Sequence, residues 1–203
     1  MGRTAMVVAA LVIFMGLQVP APAVTLDFEE LADQEALTDQ YVGYGVDFGD
    51  GARALREGGS LNTGAGWYAP SPYTVIVPRA GSDYVEVYFD MPVLSVGAMY
   101  ECRYSNLYLK AYDADGGDPL ASAWGGPTYY DSLSRHIAAP LGVSDPMGRI
   151  RSVRFHDGGS YFLLDDLSFE AAPLSSEAPE PGTWLLLTAT GIAGVIARRR
   201  RSG

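Results

Sequence analysis

Tyr84-Val85-Glu86-Val87-Tyr88-Phe89 decides the fold class. Val85, Val87 and Phe89 fall on one face of an extended chain, and Tyr84, Glu86 and Tyr88 on the other. A period of two belongs to a half-buried β-strand, not to a helix. The same period recurs on both sides. Val24, Leu26 and Phe28 alternate with polar neighbours, as do Val46 and Phe48. Leu107, Leu109 and Ala111 oppose Tyr108, Lys110 and Tyr112, and Val153 and Phe155 alternate with arginines. The last such segment, Phe162 to Phe169, is apolar around Asp165-Asp166. Asp50-Gly51, Gly58-Gly59, Gly116-Gly117 and Gly158-Gly159 punctuate the run as turns. Roughly eight to ten short strands at this spacing predict an all-β protein, an antiparallel sandwich or barrel. The predicted core is Phe28, Val46, Phe48, Val85, Val87, Phe89, Leu107, Leu109, Val153, Phe155, Leu167 and Phe169. Leu31 to Gln40 is the one stretch that reads as a helix, and equally as a loop.

Both ends of the chain differ from this middle. Arg3 supplies a positive start, Ala5 to Leu17 an apolar run, and Ala21-Pro22-Ala23 a small-residue cleavage site, so residues 1–23 read as a signal peptide with Val24 the first mature residue. The other end carries Pro179-Glu180-Pro181, an apolar run from Trp184 to Ala197, and Arg198-Arg199-Arg200-Arg201. Prolines flanking a glutamate give an extended, accessible linker. A run of about 14 residues at ~1.5 Å rise reaches ~21 Å, short of a ~30 Å hydrocarbon core, and snorkelling arginines can make up part of the difference. The arginines hold their end in the cytoplasm and leave everything before it outside. The expected organisation is a signal peptide (1–23), a β-sandwich domain (24–172), a linker (173–183), a transmembrane helix (184–197) and a cytoplasmic tail (198–203).

The order of motif, span and arginines resembles the PEP-CTERM sorting signal of exopolysaccharide-producing Gram-negative bacteria. That resemblance implies Sec export, an inner-membrane intermediate, and cutting near Pro179-Glu180-Pro181 by an exosortase. The protein would then reach the cell surface or the extracellular matrix.

Charge narrows the partners. Removing Glu177 and Glu180 from the 24 acidic residues, and Arg3 and the four terminal arginines from the 14 basic ones, leaves 22 against 9 in the domain, a net charge of −13. Lys110 is its only lysine. Such a field repels nucleic acid and anionic headgroups, and no nucleic-acid partner is expected. Cys102 is the only cysteine, which excludes an intramolecular disulfide and reads as a buried small hydrophobe.

Within the sandwich class a jelly roll fits best. Thr25 to Glu29 with Tyr41 to Phe48, and Phe162 to Phe169, resemble the two ends of galactose-binding-like jelly rolls, which include many carbohydrate-binding modules. The resemblance implies neighbouring first and last strands and, between them, a structural Ca2+ held by Glu29 or Glu30 with Asp165 or Asp166. Strict alternation would place Asp165 on the face of Leu163, Leu167 and Phe169, where an unpaired carboxylate is unfavourable. A surface acidic pair is the alternative. Asp113-Ala114-Asp115-Gly116-Gly117-Asp118 lacks the later ligands of a calcium loop and reads as a hairpin turn.

Two Gly/Pro-rich stretches carry aromatics: Trp67 and Tyr68 in Gly64–Tyr73, and Trp124, Tyr129 and Tyr130 in Ala123–Ser132. Flat rings on a sheet scaffold suit the apolar faces of sugars, making these the candidate carbohydrate-binding residues. The same rings could instead cap the core. His136 and His156 have no metal-ligand spacing, and no nucleophile elbow or phosphate loop is present. The sequence therefore predicts a non-catalytic, exported protein that binds or organises extracellular polysaccharide. The alternatives are a purely structural matrix protein and a small polysaccharide hydrolase.

Overall fold

The computed structural model describes residues 22–49, 51–114, 117–128, 137–159 and 162–173. The signal peptide before Pro22, the Pro-Glu-Pro motif, the apolar run and the arginines lie outside the described residues, as do Tyr129, Tyr130 and His136. Among the described residues no helix is long and apolar enough to cross a membrane.

Ten strands and two short 3-10 turns make up the described chain, and all pairings are antiparallel. The strands are β1 (Ala23–Leu26), β2 (Val46–Asp47), β3 (Ala52–Arg56), β4 (Thr74–Pro78), β5 (Tyr84–Cys102), β6 (Leu107–Tyr112), β7 (Ala121–Gly125), β8 (Ala139–Ser144), β9 (Ile150–His156) and β10 (Phe162–Ala171). The 19-residue β5 belongs to both layers of a sandwich. Its first half pairs with β2 and β9, and β9 continues to β6 and β7. Its second half pairs with β8 and β10, and β10 continues to β1 and β4, with β3 at the edge. The switch falls where pairing to β9 jumps from Tyr88 to Val93. Pro92 lies in that interval, and a bulge tolerates a residue without an N–H.

The predicted strands and core are present. Val85, Val87, Leu107, Leu109, Val153 and Phe155 are fully buried, facing Ile76, Leu164 and Leu167 of the other sheet. Phe28, Tyr41 and Phe48 close one end, with ring centroids 5.6 to 5.8 Å apart. First and last strands are paired, Val24 opposite Phe169. Leu31–Gln40 forms turns and a bridge from Ala36 to Arg53, not a helix. Cys102 is buried, with its Sγ 3.1 Å from the Ser105 carbonyl.

One expectation is corrected. A bulge between Asp165 and Ser168, with Asp166 in the left-handed region at φ 47°, breaks the alternation of β10. Leu163 and Asp165 therefore share the outer side of the second sheet, whereas Leu167 and Phe169 join the main core. A short polar side chain makes Asp one of the few residues that tolerates this conformation.

Candidate carbohydrate-binding face

Inward alternation on β5, β9, β6 and β7 leaves their other side chains on the outer face of the first sheet. The register then aligns them. Trp124 lies opposite Tyr108, Tyr108 opposite His156, and His156 opposite Tyr84. Four rings from four strands thus form one transverse row, three strand spacings or roughly 14 Å across. Trp124 is 65% exposed and Tyr108 38%. The Tyr108 and His156 rings are stacked, 5.3 Å apart and 19° from parallel. The Arg154 guanidinium lies over the Tyr84 ring at 4.6 Å, which holds that ring against the sheet.

The next row, two residues along each strand, is polar: Ser122, Lys110, Arg154 and Glu86. Arg154 bonds Glu86 at 3.0 Å. Burial and the neighbouring Glu86 carboxylate push the Tyr88 phenol up to about 12. Burial and the positive charge of Lys110 hold His156 below its ordinary value. Beyond this row a recess of about 460 Å³ is lined by Glu86, Tyr88, Tyr112, Asp113, Arg151 and Arg154. An aromatic strip beside fixed donors and acceptors can stack a sugar ring and bond its hydroxyls.

The sequence-predicted aromatics separate. Trp67 packs against Leu61, Val75 and Leu163 on the outer side of the second sheet, and Tyr68 follows it, partly buried. Trp124 stands on the opposite face of the sandwich, and on a strand instead of a loop. Small inward residues, Ala121 and Ala123, make β7 a weak strand signal. Tyr84, Tyr108, Lys110 and His156 were not singled out as ligand contacts. Alternation placed the first three on the polar side of their strands, but lateral register between strands distant in sequence is not written in any one of them.

Two of the four predicted metal residues, Glu29 and Asp165, accept hydrogen bonds from the segment leading into β4. Glu29 accepts the N–H groups of Tyr73 and Thr74 at 3.0 and 2.8 Å. Asp165 accepts the Ser71 N–H and hydroxyl at 2.7 and 2.8 Å and the Asp166 N–H at 2.7 Å. These carboxylates pin the segment before β4 onto the sheet. Burial raises Asp166, and the charges of Asp27 and Glu29 raise it further, while Glu30 is exposed. Among the described residues no three His, Cys, Asp or Glu come together as a set that could hold a metal. Burial pushes Asp165 up to about 7 despite its donors. The neighbouring Glu101, 1% exposed, is pushed up to about 8 by burial and by the charges of Glu57 and Asp165, which outweigh the Tyr68 N–H.

Residues 177–201 match the PEP-CTERM protein-sorting motif. The motif implies an exported protein, anchored in a membrane until an exosortase processes it for the surface. No curated protein matches the chain. Solved structures with a similar fold include a cleaved adhesin domain of Lys-gingipain, at 16% identity and TM-score 0.46 over 73% of this chain and 99% of that one. A second adhesin domain of Lys-gingipain, from Porphyromonas gingivalis, aligns at 14% identity and TM-score 0.43 over 75% and 99% of the two chains. A variant of a family 29 carbohydrate-binding module aligns at 11% identity and TM-score 0.43 over 74% and 92%.

Proposed function

We propose that the mature protein binds extracellular polysaccharide at the surface or in the matrix of a Gram-negative bacterium, through the outer face of β5, β9, β6 and β7. The observation that supports it is the row of Trp124, Tyr108, His156 and Tyr84, in which Trp124 and Tyr108 are exposed and His156 and Tyr84 partly buried. Monomeric proteins seldom leave aligned large rings in water without a partner for them. Export implied by the sorting motif supports this reading, because it would expose the face to extracellular polymers. The role is binding, with the rings supplying stacking area and Ser122, Lys110, Arg154 and Glu86 supplying hydrogen bonds.

The test is affinity electrophoresis of the mature protein in gels containing exopolysaccharide from the same organism, together with a melting curve. Trp124→Ala and Tyr108→Ala should each weaken binding by about 1–3 kcal/mol, the range for truncated interface anchors, and leave the fold intact. Wild-type mobility unaffected by the polymer, or variants that bind like wild type, would refute the reading.

A further inference from the structure

Lys110 stands where a structural lysine would be least expected. It is the only lysine of a domain with a net charge of −13, yet it occupies an inner strand of the candidate face, partly buried. Register puts it directly opposite Arg154 on β9, with Ser122 on its other side. Like charges directly opposite one another weaken a strand pair. Arg154 is already engaged by Glu86, and among the described residues Lys110 has no ion pair of its own. Its charge also bears on His156, whose protonation it opposes. Two cations side by side, one without an ion pair among the described residues, leave room at the centre of the face for a further negative charge.

The aromatic row supplies the geometry. Tyr108 and Lys110 are two residues apart on β6, and His156 and Arg154 on β9, so the ammonium and guanidinium border the stacked Tyr108–His156 pair. A sugar ring set against the solvent edge of that pair would present a substituent towards Lys110.

Resting on the polysaccharide-binding reading above, we infer that the polymer is anionic, with an acidic substituent such as a uronic acid carboxylate seated beside Lys110. The domain as a whole repels such a polymer, and at physiological salt fields fade over about 8 Å, so the attraction is local to this contact. Lys110 decides which polymer is taken and the rings hold the chain.

The experiment uses exopolysaccharide from the same organism, untreated and with its carboxyl groups reduced to alcohols by carbodiimide and borohydride. Wild type should bind the untreated polymer more tightly by roughly ten- to hundredfold, as one charge-assisted hydrogen bond would give. Lys110→Gln should bring the two polymers within about threefold of each other without lowering the melting midpoint, and Lys110→Arg should keep most of the preference. Equal binding of both polymers by wild type, or a preference that survives Lys110→Gln, overturns the inference while Trp124-dependent binding leaves the face itself standing. Binding of neither polymer removes the reading beneath it.

Discussion

Replacing Glu101 with Gln should stabilise the protein at pH 8 and leave it nearly unchanged at pH 4. Glu101 is buried on the outer side of the second sheet, and its Oε2 has no hydrogen-bond partner. Its carboxyl is pushed up to about 8 from an ordinary 4.5, chiefly by burial. Between those two values the native state keeps a proton that the unfolded chain has released, so stability is full below about pH 4.5 and declines until about pH 8. At 1.36 kcal/mol per unit, a shift of this size corresponds to roughly 3–5 kcal/mol lost across the window. Glutamine imitates the protonated acid and does not titrate, so the loss should shrink by that amount. Asp165, raised to about 7 by burial, has the same sign and should leave a residual slope in the variant. Urea unfolding of both proteins at pH 4, 6 and 8 measures the effect. A variant less stable than wild type at pH 8, or wild-type stability rising from pH 5 to 8, would refute the reasoning.

Trp67→Ala should destabilise by about 2–4 kcal/mol, because the ring fills the small core of Leu61, Val75 and Leu163, whereas Trp124→Ala should change stability by under about 1 kcal/mol. Thermal melts of the two variants give the comparison directly. Gly125→Ala should cost about 1–3 kcal/mol in urea unfolding, since a Cβ there would overlap the Tyr100 hydroxyl, which donates to the Gly126 carbonyl. Mass spectrometry of surface protein should find Val24 at the start and no residues beyond about Pro181. Neutral replacements at Arg198 to Arg201 should impair that processing through loss of the charge that fixes topology.

Much of the fold was legible because alternation and burial are local properties. Val85, Val87 and Phe89 point inward for the reason their spacing suggests, and Val24 comes to lie against Phe169 as a jelly roll requires. What failed to show were departures from period two. The left-handed Asp166 turned Asp165 away from Leu167, and no flanking glycine marked the bulge. The candidate face was half visible: Tyr84, Tyr108 and Lys110 were placed on polar sides, but only the register of β5, β9, β6 and β7 joins them to His156 and Trp124. Loop aromatics drew attention because Gly and Pro mark accessible segments, yet Trp67 covers an apolar patch of the sheet beneath it.

The central claim is that polysaccharide is held on the aromatic row of the first sheet. Amide and side-chain NMR shifts of the mature protein, titrated with oligosaccharides cut from the organism's own exopolysaccharide, address it residue by residue. The account predicts saturable shifts concentrated at Trp124, Tyr108, His156, Tyr84 and Lys110, with the indole N–H of Trp124 among the largest. Shifts confined to Trp67, Tyr68 and their segment, or no shifts at saturating oligosaccharide, would contradict it.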